Sequence, residues 1–263
     1  FAAHVVAVPL IALYVICSLD ARRPLLAGGA LALCLATRPS TFALGLLFPL
    51  EALAADGGVH GIDWRRLLRR CAIFAAPIAI VLAIEWTLND LRFGDPFEVG
   101  YRYLRIRWSA RIEKWGLFNY HYLSKNLAVF LAALPWLSAS MPYLRISRHG
   151  LAIWFTTPNY LWTLWPKRTS ATYRALAIAA GATAFVDLLY QNSGWIQFAY
   201  RFSLDYSVLL VALLAIGGRR FGIAFYALLV CACAINLFGA ITFDRALQFY
   251  DADASQQVIF QPD

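Results

Sequence analysis

Long, largely apolar runs alternate with short polar or basic breaks along this chain. Residues 2–18 (AAHVVAVPLIALYVICS), 71–89 (CAIFAAPIAIVLAIEWTLN), 174–190 and 221–243 approach or exceed the roughly 20 residues a helix needs to cross a bilayer core of about 30 Å. None alternates apolar and polar positions as a barrel strand would, so the runs predict helices. The run 24–54 is interrupted at Thr37-Arg38-Pro39-Ser40. Pro39 lacks a backbone donor and biases Arg38 away from helical geometry, which predicts a hairpin of two short helices meeting there. Residues 125–141 and 204–217 predict further apolar helices. The Trp-rich stretch 150–166 is broken at Thr157-Pro158 and reads as interfacial or re-entrant, since Trp collects at the headgroup level. The expected fold is all-α, a polytopic transmembrane helical bundle over residues 1–243 with about 7–9 membrane helices, some short or broken. External loops are expected at about 90–124 and 191–203, and residues 244–263 read as a polar C-terminal tail.

Composition agrees. The chain has 263 residues, 61% hydrophobic and 14% charged, against roughly 45–50% and about 25% in soluble domains. Its formal net charge of +8 resides in clusters: Arg22-Arg23, Arg65, Arg66, Arg69 and Arg70, Arg145 and Arg148, Lys167 to Arg174, and Arg219-Arg220. In a multispanning protein such clusters report cytoplasmic loops, and a nucleic-acid partner is excluded. Placing all of them inside requires 150–166 to enter and leave on one face, and loops 90–124 and 191–203 then share the external face. The location expected is the plasma (inner) membrane. The chain opens at Phe1 within an apolar run and holds a single methionine, Met141, so a piece lacking its true N-terminus is expected. Cys17, Cys34, Cys71, Cys231 and Cys233 read as free, buried, small hydrophobes: Cys231-Ala232-Cys233 is too close for an ordinary disulfide and lacks zinc-knuckle spacing.

The polar loops hold the candidate chemistry. Loop 90–124 sets Asp90, Asp95, Glu98 and Glu113 among Arg92, Arg102, Arg105, Arg107, Arg111 and Lys114. Arginines bind phosphate bidentately, and Tyr101, Tyr103, Trp108 and Trp115 offer stacking faces for sugars, which together suggest an anionic substrate. The same residues suit an amphipathic segment in the headgroup layer. Asp95 and Glu98 are weak candidates for a general base or a divalent-cation site, with a plain surface turn as the simpler reading. His121 reads as a packing residue. Loop 191–205 joins Gln191, Asn192, Gln197, Arg201 and Asp205 to Trp195, Phe198, Tyr200 and Phe202 beside Gly194, and resembles a ligand-contacting loop. Its structural alternative is an Arg201–Asp205 pair at i,i+4. Glu51, Glu85, Asp187 and Arg38 lie in or beside membrane runs, where ionisable groups are functional suspects; snorkelling would excuse the two glutamates, and headgroup contact would excuse Arg38.

The segments Leu35-Ala36-Thr37-Arg38-Pro39, Phe93-Gly94-Asp95-Pro96-Phe97-Glu98-Val99-Gly100-Tyr101, and 194–205 (GWIQFAYRFSLD) resemble bacterial multispanning glycosyltransferases of the GT-C type. The group in question is related to dolichyl-phosphate-mannose protein mannosyltransferases (family 39), and the pattern extends over most of residues 24–217. The resemblance implies inverting transfer of a sugar from a polyprenyl-phosphate donor to an acceptor on the extracytoplasmic face. It also places the principal catalytic carboxylate in a first external loop, upstream of residue 1. On that reading Arg38, Tyr101, Arg102, Gln197, Tyr200, Arg201 and Asp205 bind substrate. Arg201, Tyr200 and Gln197, with help from Arg102, stabilise the departing lipid phosphate. The partners implied are a polyprenyl-phosphate-linked sugar and membrane lipid; no cofactor is certain, a divalent cation being compatible. The competing class is a lipid-linked saccharide flippase or another polytopic transporter. Transporters often carry internal repeats, and the two broken segments 24–54 and 150–166 differ in length and composition.

Overall fold

A computed structural model describes residues 2–56, 62–104, 109–194 and 196–250. The described chain is mostly helical. In order come α1 (Ala2–Ser18), α2 (Pro24–Thr37), a 3₁₀ segment (Pro39–Leu46), α3 (Leu47–Ala55) and α4 (Trp64–Phe93). They are followed by α5 (Ser109–Trp115), α6 (Leu123–Ala132), a small hairpin of β1 (Trp136–Leu137) and β2 (Leu144–Arg145), and α7 (Ile153–Thr156). A second 3₁₀ segment (Pro158–Leu164), α8 (Ala171–Leu188), α9 (Leu204–Ile216) and α10 (Ile223–Thr242) complete the chain. Three helical stretches among the described residues, Ala2–Ala21, Trp64–Phe93 and Ile223–Thr242, are long and apolar enough to cross a membrane.

The chain divides into two compact units. The first comprises Phe1–Ser109, Lys167–Val186 and Leu204–Gly217; the second comprises Ala110–Pro166, Asp187–Ser203 and Gly218–Asp263.

In the first unit the α2–α3 hairpin breaks where Pro39 requires it, with Arg38 extended at φ −148° and ψ 90°. Tyr14, fully buried on α1, holds the break in place. Its hydroxyl donates at 2.8 Å to the Leu44 carbonyl, which also accepts from the Leu47 amide, and accepts at 3.2 Å from the Phe48 amide in the first turn of α3. Phe48 stacks on Phe74 of α4 at 4.5 Å between ring centroids. Helix α4 is capped by the Asp63 carboxylate, which accepts from the Arg65 and Arg66 amides, and ends at Gly94 in the left-handed conformation with φ 69°. Its 30 residues reach about 45 Å, and Phe74 is its buried residue. The basic stretch expected as a loop over 55–70 is thus helical from Trp64 onward.

In the second unit Tyr200 and Phe202 pack with Val129, Ala133 and Leu188, while Ile146, Leu151 and Tyr250 form another core. The expected apolar helix over 125–141 is corrected here. Helix α6 stops at Ala132, and the chain turns into the β1–β2 hairpin, with Trp136 opposite Arg145 and Leu137 opposite Leu144. Pro135 has no amide hydrogen to continue the helix and disfavours helical geometry at Leu134. Cys17 and Cys34 are buried as expected, but Cys231 and Cys233 are exposed, because α10 turns most of its circumference outward.

Helices α2 and α4 cross at Gly28. A Cβ built there would lie 2.0 Å from the Phe74 carbonyl oxygen and 2.8 Å from Pro77 Cγ, whereas one at Gly29 meets nothing within 4 Å. Gly28→Ala is expected to lower the melting temperature in detergent by forcing the helices apart, at a cost of about 1–3 kcal/mol or more. Gly29→Ala, which removes a poor helix former without a clash, is expected to be neutral or mildly stabilising.

Candidate functional site

Arg38, Asp205 and His4 come from three places in the sequence and meet at one end of the first unit. Helix α1 contributes His4 from its first turn, the α2 break contributes Arg38, and the first turn of α9 contributes Asp205. Asp205 has no solvent-exposed surface, and His4 is buried. Arg38 donates to Asp205 Oδ2 through Nε at 3.0 Å and again through Nη2. Ser40 donates to the same carboxylate oxygen at 3.1 Å and accepts from Arg38 Nη2 at 3.1 Å. His4 Nδ1 lies 3.3 Å from Asp205 Oδ1, and His4 Nε2 lies 3.2 Å from Arg38 Nη1.

These contacts fix the proton on His4. A guanidinium only donates, so Nε2 must carry a lone pair toward Arg38, and Nδ1–H donates to Asp205. The ring is then neutral, and the cluster is a closed Arg⁺–Asp⁻ pair bridged by imidazole and hydroxyl. Pairing of this kind is what allows a carboxylate to be fully buried. The Arg38 side chain retains 14% exposure, the one part of the ion pair open to the outside. A fixed cation at this position is suited to holding an anionic group at the end of an apolar bundle.

Arg38 and Asp205 were expected to bind substrate, and the structure brings them together. Asp205 takes up Arg38, His4 and Ser40, so its expected alternative role as the i,i+4 partner of Arg201 is replaced. Arg38 is likewise bound within the protein instead of projecting to headgroups. His4 and Ser40 escaped the sequence reading. The signal available was a histidine inside an apolar run, at the end of α1 that the α2 break had to revisit.

The other expected residues do local work. Asp95 caps the Phe97 amide at 2.9 Å from an exposed turn. Glu98 accepts from the Gly100 amide at 2.8 Å and pairs with the mostly exposed Arg102 at 3.5 Å. The two carboxylates therefore do not converge on a pocket, and no group of three or more His, Cys, Asp or Glu able to hold a metal ion occurs among the described residues. Tyr101 lies in a short 3₁₀ turn following Gly100, whose φ is 85°. Tyr103 stacks on Phe93 at 5.3 Å. Arg105, Arg107, Trp108, Trp195 and residues 251–263 of the expected tail lie outside the described residues.

In the second unit Gln197 is buried, and its amide is committed to backbone. Nε2 donates to the carbonyls of His149 and Ser193, and Oε1 accepts from the Arg201 amide at 3.2 Å. Tyr200 is 1% exposed, its ring edge-on to Phe130 and Phe202. The Arg201 guanidinium sits 5.7 Å from the Phe202 ring centre. Gln197 and Tyr200 thus shape the loop from which Arg201 extends. Arg111 is buried and donates to Gln191 at 2.8 Å. His121 stacks flat on Trp115 at 4.4 Å, the packing role expected of it. Glu51 is buried and accepts from the Asp20 amide at 3.0 Å and from Thr172 at 3.4 Å, so it anchors the protein interior and does not snorkel.

Comparison with known protein families, characterised proteins and solved structures finds no match to this chain.

Two outcomes follow from these geometries. Asp205→Asn leaves the partly buried Arg38 cation without its counter-charge and is expected to cost about 3 kcal/mol. Replacing both partners, as in Arg38→Met with Asp205→Leu, is expected to recover much of that loss in a thermal melt.

The second concerns His149, buried against Ser193 with Nδ1 to Oγ at 2.6 Å. Burial, and then the charge of Lys125, lower its pKa from 6.5 to about 4. The unfolded chain therefore binds the proton more tightly. Stability is full above the unfolded value of 6.5 and falls as pH drops toward about 4, by on the order of 3 kcal/mol. His149→Gln is expected to flatten this interval in melting curves recorded against pH.

Proposed function

We propose that this chain is the membrane part of a glycosyltransferase that moves a sugar from a polyprenyl-phosphate donor to an acceptor on the extracytoplasmic face. The observation that carries the reading is the Arg38 guanidinium, held by Asp205, His4 and Ser40 at the end of an apolar helical unit. Orientation supports it. Arg22-Arg23 and Lys167-Arg168 belong to the other end, where the end of α1 and the start of α8 converge on Glu51 and the Lys167 amide meets the Gly217 carbonyl. By the positive-inside bias that end is cytoplasmic, which leaves the Arg38 cluster extracytoplasmic.

Inverting transfer needs a carboxylate to take the acceptor proton and a cation to stabilise the departing lipid phosphate. Arg38 serves the second need in this scheme: Asp205, Ser40 and His4 fix it before charge develops. Asp205 is not the base in this scheme, since its oxygens are occupied by Arg38, Ser40 and His4. Within the same unit Tyr101 and Arg102, from the segment after α4, are the further substrate contacts of this reading; Arg201, on the loop braced by Gln197, is a candidate cation of the second unit. The enzyme belongs to a multi-pass protein of the inner membrane in this reading.

The test is transfer of radiolabelled sugar from a polyprenyl-phosphate donor, using membranes that carry the complete gene product. The charge-balanced double variant Arg38→Ala with Asp205→Ala is expected to retain membrane expression and lose transfer by about 100-fold or more. Arg38→Lys keeps the charge but not the planar fork, and is expected to fall between the two. Undiminished transfer in the double variant refutes the role of Arg38. Translocation of the lipid-linked sugar without transfer by the unmodified protein refutes the enzyme and favours a flippase.

A further inference from the structure

Helix α6 of the second unit is apolar on both faces. Inward, Val129 packs in the core with Leu123 and Phe130 against it, and the one buried amide, Asn126, donates to the Leu188 and Tyr190 carbonyls at 2.9 and 2.6 Å. Its exposed positions are Ser124, Leu127, Ala128, Leu131 and Ala132, spaced as one helical face and carrying no charge. A helix facing water carries charged residues on such a face.

The hairpin that follows continues this surface. Leu137 is 83% and Met141 78% exposed, and Leu134 and Tyr143 are exposed beside them. No charged side chain occurs anywhere in residues 126–144, and Lys125 and Arg145 bracket the stretch. An exposed hairpin in water is ordinarily defended by charge. Backbone groups here are instead satisfied from within. The Ser138 amide donates to the Tyr143 carbonyl at 2.8 Å, and the Ser140 amide to the Ser138 hydroxyl at 3.3 Å. At the end of α6 the Leu131 carbonyl accepts from Trp154 Nε1 at 2.7 Å, and the Ala133 carbonyl from the Ala152 amide at 2.7 Å. Internal satisfaction of this kind is what an apolar medium demands.

We propose that α6 and the β1–β2 hairpin form a wedge that inserts into one leaflet of the bilayer without crossing it. Ten residues of α6 give about 15 Å, half of the roughly 30 Å hydrocarbon core. Trp136 and Tyr143 are the aromatic anchors for the headgroup boundary, and Lys125 and Arg145 stand at the two ends of the stretch, where lipid phosphates would meet them. The occupant of this surface is lipid: its exposed side chains are uncharged and apolar with aromatics at the margins, in a chain whose described residues include three helices long and apolar enough to cross a membrane.

The experiment places an environment-sensitive fluorophore on single cysteines introduced as Leu137→Cys or Met141→Cys, with Cys71, Cys231 and Cys233 replaced by serine. The full chain is reconstituted in vesicles of phosphatidylcholine and phosphatidylglycerol. Arg102→Cys, on an exposed turn, serves as the reference. The labels at 137 and 141 are expected to be quenched by spin labels near the top of the acyl chains and protected several-fold from aqueous iodide relative to position 102. Iodide quenching equal to that at position 102 overturns the proposal. Protection from both quenchers also overturns it, since a protein partner or a second copy would then cover the face. Label positions on exposed side chains keep folding intact, and a melt of each labelled protein, matched to the unlabelled one, verifies it.

Discussion

A carboxylate with no solvent contact, at a helix end within an apolar unit, must be neutralised where it stands. Asp205 imposes that requirement on the first unit. Its two oxygens collect Arg38 and Ser40 from the α2 break and His4 from the start of α1, so two separate stretches are pinned to the first turn of α9. The break itself is a condition of this. Arg38 reaches Asp205 from an extended residue ahead of Pro39, where the Thr41 amide and hydroxyl both return to its carbonyl at 3.0 and 2.7 Å. A continuous helix through 37–40 would leave no such geometry. Buried ion pairs contribute little net stability against well-packed apolar residues, because desolvation offsets their attraction. The pair is therefore poorly explained as reinforcement of a bundle already rich in apolar contacts.

The opposite end of the same unit is organised around another carboxylate by different means. Glu51 on α3 accepts from the Asp20 amide and from Thr172, tying the α1–α2 turn to the start of α8. Asp20 and Ala21 there have φ of 53° and 49°, a backbone region that costs a residue with a Cβ about 1 kcal/mol or more. The Asp20 hydrogen bond to a buried acceptor offsets part of that cost. One end thus uses a carboxylate to hold a cation, and the other uses one to hold backbone.

These two roles differ in how far they were legible. Pro39 and the apolar run around it announce the hairpin and its break, because local backbone chemistry decides both. Arg38 and Asp205 each stand out as charges beside membrane runs. Their pairing spans 167 positions and is set by helix packing, which no period or spacing encodes. His4 looks like an incidental polar residue until the far end of α2 is placed beside it. Gln197 and Tyr200 show the converse: amide and phenol groups in a Gly-containing loop look like ligand contacts, yet the loop uses the Gln197 amide to satisfy its own backbone. The apolar stretch 125–141 misleads for another reason. Apolarity and length suit a spanning helix and a lipid-facing half-helix equally, and the distinguishing feature was Pro135, a single imino acid.

Inward-turned amides are not confined to α6. The buried Asn159 donates to the Phe225 carbonyl at 2.9 Å and the more exposed Asn236 to the Thr156 carbonyl at 2.8 Å, so side-chain amides join the second 3₁₀ segment, α7 and α10. Meanwhile α10 turns Ile223, Val230, Leu237 and Ile241 outward, and α4 does the same with Ile80, Ile84 and Leu91. In water, burial of apolar surface drives helices together; in lipid that drive is absent, and packing and interhelical hydrogen bonds must replace it. The amides supply such bonds. In the first unit the close α2–α4 approach at Gly28 supplies the packing, since a helix with Phe74 as its buried residue has little apolar area with which to adhere. Both units are thus built with a core too polar, and a surface too apolar, for water to be their solvent. The Arg38–Asp205 pair feels the same medium: away from bulk water its attraction is stronger at the same distance than it would be on a soluble surface.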